Sequence, residues 1–146
     1  MKSFGVLEVV FAILIISIIS SVAMIKLNET NSLSLKTKIK SDVALIRYSI
    51  SNTRQKLVLS GSDISINFLD EASVNTKNQQ LFSSVLDYPI ISHDMTNIQG
   101  GVWVKYSSNI YRAFISQNEY IDFIYNASNG LFDCDYSVNL CKELTQ

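Results

Sequence analysis

The side chains best equipped for chemistry in this 146-residue chain are few and widely separated. Its one histidine, His93, stands between Ser92 and Asp94. A nucleophile, base and orienting acid support acyl transfer when a fold brings them together, and three sequential neighbours are no such motif. His93 therefore reads as a surface loop residue. Cys134 and Cys141 enclose six residues, a spacing that is no redox motif, and a single histidine does not complete a zinc site around them. Asp122, Asp133 and Asp135 could gather oxygen ligands for calcium, but acidic turn residues without an ion are commoner, so no cofactor is expected. Asn28-Glu29-Thr30 and Asn126-Ala127-Ser128 fit the glycosylation triplet, a pattern frequent by chance. With no glycine-rich phosphate loop either, the sequence points away from an enzyme. One carboxylate remains, Glu8, and it lies inside a long apolar run.

The elements that would place these groups begin with that run. Residues 4–25 hold 17 apolar residues in 22 positions, whereas 26–146 hold 51 in 121. The overall 47% hydrophobic content thus averages a membrane-grade segment with an ordinary polar domain. Twelve basic residues against thirteen acidic ones exclude the basic footprint of a dedicated nucleic-acid binder. As a helix, 22 residues rise about 33 Å, enough for a hydrocarbon core of roughly 30 Å. Ser17, Ser20 and Ser21 are compatible with that helix, because a helical serine can bond back to a carbonyl one turn earlier. A cleaved secretory signal fits less well: the apolar stretch is too long and Lys2 is the only basic residue before it. A plain anchor fits the length but gives no reason for Glu8, since an isolated carboxylate in a spanning helix is costly and usually functional.

The segment Lys2-Ser3-Phe4-Gly5-Val6-Leu7-Glu8-Val9-Val10 resembles the processing signal of the type IV pilin and pseudopilin family. It has a short basic leader, a small residue, a phenylalanine and a glutamate four residues later. Ser3 stands where the family usually has glycine, and Gly5-Val6 replaces the common Thr-Leu pair. The resemblance implies prepilin peptidase cleavage between Ser3 and Phe4, N-methylation of Phe4, and Glu8 as the family's characteristic acid. In a stacked filament that acid needs a cation, and the amino terminus of a neighbouring subunit can supply one.

Past Lys26, Leu35, Ile39, Val43, Ile46, Ile50 and Leu57 recur on one helical face, with Lys36, Lys38, Lys40, Asp42, Arg47 and Arg54 flanking it. Lys36, Lys38 and Lys40 do not share a face and read as solvated surface, not as a nucleic-acid patch. Ser60-Gly61 is a stop signal, and the polar stretch 28–34 suggests a break or kink. Were the helix nearly continuous over 4–60, it would be about 85 Å long. Residues 62–97 are mixed, with a short helix expected at 80–86 and a turn near Pro89. Val102–Tyr106, Ile110–Ile115 and Tyr120–Tyr125 then read as strands, joined by three- and four-residue connections that suit antiparallel hairpins. The core face expected of them is Val102, Val104 and Tyr106, then Tyr111, Ala113 and Ile115, then Ile121, Phe123 and Tyr125. Trp103 and its aromatic neighbours are expected in core packing ahead of a base-stacking role.

The expected fold class is α+β: a long amino-terminal helix against an antiparallel sheet of three or more strands. Its parts would be a leader 1–3, a transmembrane or filament-core helix 4–25, an amphipathic continuation 26–60 and a domain 61–146. Outside the cytoplasm Cys134 and Cys141 would form a disulfide, worth somewhat under 3 kcal/mol in the chain-entropy description. Such a bond resembles the disulfide-bounded carboxy-terminal loop of many pilins. The expected function is a structural subunit of a pilus-like filament or of a secretion or competence pseudopilus. Its partners would be prepilin peptidase, membrane lipid, an inner-membrane assembly platform and like subunits. By the same resemblance it would cross the bacterial inner membrane once, with its domain in the periplasm. The alternative is a membrane-anchored binding domain for DNA or a secreted protein that forms no filament.

Overall fold

The structure, a computed structural model, describes residues 5–96 and 98–146, and at 25–30 the backbone alone. The expected leader and the Ser3–Phe4 cleavage position lie outside the described residues. The chain divides into two compact units, 1–34 and 35–146. Helix α1, Val6–Leu59, contributes to both, and its helical assignment runs through 28–34, where a break was expected. It stops where the sequence places the stop. Gly61 sits at φ +69°, its N–H donates to Val58 O, and the Ser62 N–H donates to Leu57 O. That reciprocal pair satisfies the last carbonyls, and glycine takes the left-handed position without a Cβ clash.

In the second unit the periodic face of α1 is the face that packs. Ile39, Val43, Ile46 and Ile50 are buried, with Leu35 and Leu57 half-buried at either end. At roughly 1.5–3 kcal/mol per buried aliphatic side chain, the four central residues contribute about 6–12 kcal/mol as an upper figure. They lie in one hydrophobic core with residues of a four-stranded antiparallel sheet, β3 (Val102–Lys105), β4 (Ile110–Phe114), β5 (Tyr120–Asn126) and β6 (Leu131–Asp133), in that spatial order. A small antiparallel pair, β1 (Gln80–Leu81) and β2 (Ile90–Ile91), precedes it. A last helix, α2 (Asn139–Thr145), adds Leu140, Cys141 and Leu144 to the core. The architecture is α+β.

Two local expectations are corrected. In β3 the face that joins the aromatic core is carried by Trp103 and Lys105; Val104 is buried as expected but on the opposite face, with half-buried Val102 and exposed Tyr106. Trp103 pairs with Ala113, which pairs with Ile121, while Lys105 pairs with Tyr111, which pairs with Phe123. Val-Trp-Val-Lys-Tyr offers an apolar residue on both faces, so alternation alone does not fix the side. Burying the fully enclosed indole decides it, and a one-residue shift carries every other side chain with it. The faces expected for β4 and β5 are the buried ones.

Residues 80–86 form no helix of their own. Gln80–Leu81 is a strand, and a single turn follows, with the Leu86 N–H donating to Phe82 O. Phe82 takes φ +61°, a left-handed conformation that disfavours a bulky side chain. Its ring is enclosed by Tyr111 at 4.5 Å between centroids and by Trp103 and Phe132 at 5.7 Å each. Its N–H donates to Asp70 Oδ2 at 2.9 Å. The aromatic burial and that hydrogen bond hold the backbone where local preference would not.

Candidate functional site

The first unit presents a helical surface of one chemical kind. Val6–Met24, 19 residues long, is long and apolar enough to cross a membrane, and its side chains are exposed. Its rise is about 28 Å, close to the ~30 Å of a hydrocarbon core. Ser17 Oγ donates to Ile13 O at 2.7 Å, the back-bond that lets a serine sit in an apolar helix. Glu8 lies in the first turn of α1, and its Oε2 accepts the Gly5 N–H at 3.2 Å. Both features suit a carboxylate at a helix start, where free N–H groups and the positive end of the helix dipole gather. No ion pair among the described residues includes Glu8.

No known protein family, curated protein or solved structure matches this chain. Its functional reading therefore rests on its own residues.

The calcium candidates are engaged separately. Asp122 is held by Arg112 in a two-pronged pair, Nε–Oδ1 2.7 Å and Nη2–Oδ2 2.8 Å. Asp133 Oδ1 meets Arg47 Nη2 at 2.7 Å, and Asp135 Oδ1 accepts the Ser137 N–H at 2.8 Å. That N–H holds the exposed Asp135 carboxyl below its usual range. The one cluster of metal-type donors among the described residues is Asp133, Cys134 and Cys141, and both sulfurs are joined to each other. The disulfide ties the end of β6 to α2, across 5.8 Å between Cα atoms. His93 is half-buried, and its backbone N–H donates to Trp103 O. Ser92 is buried, with its Oγ donating to Thr76 O. These two pin the edge of β3 and form no catalytic constellation.

Two of the lysines expected to be plain surface have structural partners. Lys36 Nζ reaches Glu143 of α2 at 2.8 Å and Glu119 of the β4–β5 turn at 3.5 Å. The hydrogen bond to Glu143 is the main reason its pKa is raised. Lys38 donates to Gly101 O and lies 3.7 Å from Asp42, which in turn accepts the Trp103 indole N–H at 2.9 Å. On the outer sheet face the Arg112 guanidinium is sandwiched between Tyr106 and Tyr120, 4.1 and 4.0 Å from the ring centroids. The two rings cover a charge already neutralised by Asp122. An open groove of ≈ 610 Å³ between the end of α1 and β6 is lined by Arg47, Arg54, Val58, Ile64 and Leu131 among others.

The feature sequence reasoning missed lies deepest. Lys105 and Asp70, 5% and 2% exposed, meet at 2.6 Å between Nζ and Oδ1. The same carboxyl accepts N–H groups from Ala72 at Oδ1 and Phe82 at Oδ2. A lysine inside an aromatic strand is the signal that could have found it, since a buried cation requires a nearby acid. Tyr111 closes the cluster. Burial first, then the charge of Asp70 and a hydrogen bond to it, push its phenol well above the usual 10.0. Because the folded value is raised, the stability Tyr111 contributes is intact below pH ~10 and is lost as pH rises beyond it. Tyrosinate absorbance of the folded protein is therefore expected to match that of Tyr111→Phe until alkaline unfolding. A tyrosine ionising near pH ~10 in the folded wild type and absent from Tyr111→Phe would contradict this enclosure.

Proposed function

We propose that the chain is a structural subunit of a type IV pilus-like filament, or of a secretion or competence pseudopilus. Residues 4–25 hold it in the bacterial inner membrane until assembly, with the 35–146 unit on the periplasmic side. The observation that carries this reading is Glu8, the single charge of an exposed apolar helix, placed in its first turn directly behind the Ser3-Phe4 signal. Filament assembly transfers that helix from the bilayer into a bundle of like helices, where its apolar side chains keep an apolar environment. Glu8 pairs there with the amino terminus freed on a neighbouring subunit, which fixes register because an unpaired charge in an apolar bundle is costly. Prepilin peptidase and an inner-membrane assembly platform are the partners this route requires. No reaction catalysed by the chain forms part of it.

Mass spectrometry of the mature protein tests the first step: the amino terminus is expected at Phe4, carrying one added methyl group. An amino terminus near Met24, or an uncut chain in a cell that contains the peptidase, would overturn the reading. Glu8→Ala is expected to insert in the membrane normally and to abolish filaments seen by electron microscopy. The alternative, a membrane-anchored sheet that captures DNA or a secreted protein, has less support, because Trp103, Tyr111, Phe123 and Phe132 are all buried.

A further inference from the structure

We propose that Asp70 and Lys105 condense into an intramolecular isopeptide bond that staples the segment after α1 to strand β3. The argument starts from proximity. Nζ of Lys105 lies 2.6 Å from Asp70 Oδ1 and 3.4 Å from the Asp70 backbone oxygen, so the amine faces this one residue. Both side chains are almost fully enclosed, at 5% and 0% exposure. Tyr111 stands beside them, with its ring centroid 5.8 Å from Nζ, and Phe82 packs on Tyr111. Held reactants at contact distance replace an encounter in solution, the source of the large effective concentrations of intramolecular reactions.

The surroundings supply the remaining requirements. Transfer of one proton from Nζ to Oδ1 discharges both groups together, over a contact of 2.6 Å. The freed Nζ lone pair then attacks Cγ of Asp70. Negative charge that develops on Oδ2 is met by the Phe82 N–H, already 2.9 Å away, and a fixed backbone donor needs no rearrangement to stabilise it. Tyr111, whose ring stands beside Nζ and packs on Phe82, acts as a positioning residue for the pair. Oδ1 takes a second proton from Nζ and leaves as water. The balance is complete: one C–N bond forms, one C–O bond breaks, two protons pass from nitrogen to the departing oxygen, and nothing is oxidised or reduced.

The left-handed backbone of Phe82 gains a purpose here. It aims the Phe82 N–H at the carboxyl that would react. The crosslink would close a loop between residues 35 apart, and it is independent of whether the chain enters a filament.

The test is peptide-level mass spectrometry of the purified full chain, unfolded, reduced, alkylated and digested. The expected product is a branched peptide containing both Asp70 and Lys105, lighter than its two parts by one water, about 18 Da. Asp70→Asn is expected to form the same amide with loss of ammonia, about 17 Da, so its branched peptide is identical. Lys105→Met and Asp70→Ala should yield only linear peptides, and Tyr111→Phe should leave a larger uncrosslinked fraction after the same time at neutral pH. Recovery of Asp70 and Lys105 solely in separate linear peptides of full mass from the folded wild type would overturn the proposal. That result would leave the filament reading untouched, since it depends on residues 3–8.

Discussion

Lys105→Met is expected to destabilise the folded domain by about 3–5 kcal/mol, the penalty for stranding a buried charge. Methionine fills nearly the same volume, so the loss is electrostatic and not a cavity. Asp70 would keep its N–H bonds from Ala72 and Phe82 but lose its only cationic partner among the described residues. Adding Asp70→Asn should recover part of the loss, because the amide carries no charge and its oxygen still accepts a backbone N–H. The double variant is thus expected to be more stable than Lys105→Met alone, a coupling that additive sites do not show. Urea unfolding followed by circular dichroism measures both. A midpoint for Lys105→Met equal to that of the wild type would show that the pair contributes nothing to the folded state.

Trp103→Ala is expected to remove a similar amount, about 3–5 kcal/mol, by a different route. The indole is fully enclosed, 5.7 Å from Phe82 and 5.6 Å from Phe123 between ring centroids. Alanine would leave a cavity among rings whose own packing fixes β3, β5 and β6. Trp103→Phe separates the components. It retains most of the apolar contact but drops the N–H bond to Asp42, worth about 1–2 kcal/mol where the acceptor is charged and partly exposed. Since Trp103 is the only tryptophan, its fluorescence reports unfolding of the wild-type core, and circular dichroism follows the two variants that lack it. Equal midpoints for Trp103→Ala and Trp103→Phe would show that ring packing is not what holds the sheet to α1.

The helical face of α1 was legible because Ile39, Val43, Ile46 and Ile50 repeat with one period and contact one sheet. The three strands that read as β are there, since Ile110–Phe114 and Tyr120–Asn126 combine branched and aromatic residues with short polar connections. Strand β6 escaped because three residues, Leu131–Asp133, are too few to show alternation. Residues 80–86 misled for a physical reason: Gln-Leu-Phe-Ser-Ser-Val-Leu has helical spacing, but Phe82 is captured by Asp70 and by aromatic neighbours distant in sequence. The same holds for β3, where Lys105 on the core face is tolerable only because Asp70 waits there. The disulfide could be anticipated from two cysteines alone, whereas the buried ion pair required knowing which of several acids and lysines meet. The role proposed for Glu8 rests on sequence alone, on its place in an apolar run four residues after Phe4.

The treatment of the sheet margins bears on how copies of this chain can associate. Along the outer margin of β3, the His93 N–H occupies Trp103 O and Lys38 donates to Gly101 O. Along β6, Arg47 Nε occupies Phe132 O at 2.8 Å while its Nη2 holds Asp133. Main-chain oxygens that would template a stranger's strand are therefore already engaged at both ends of the ladder. Crowded together on a membrane or along a fibre, such domains resist cross-β extension and the slide toward amyloid-like aggregates. In the filament proposed above, contact between copies would then rest on helices and not on strand addition. Replacing Arg47 would reopen a path to irreversible clumping.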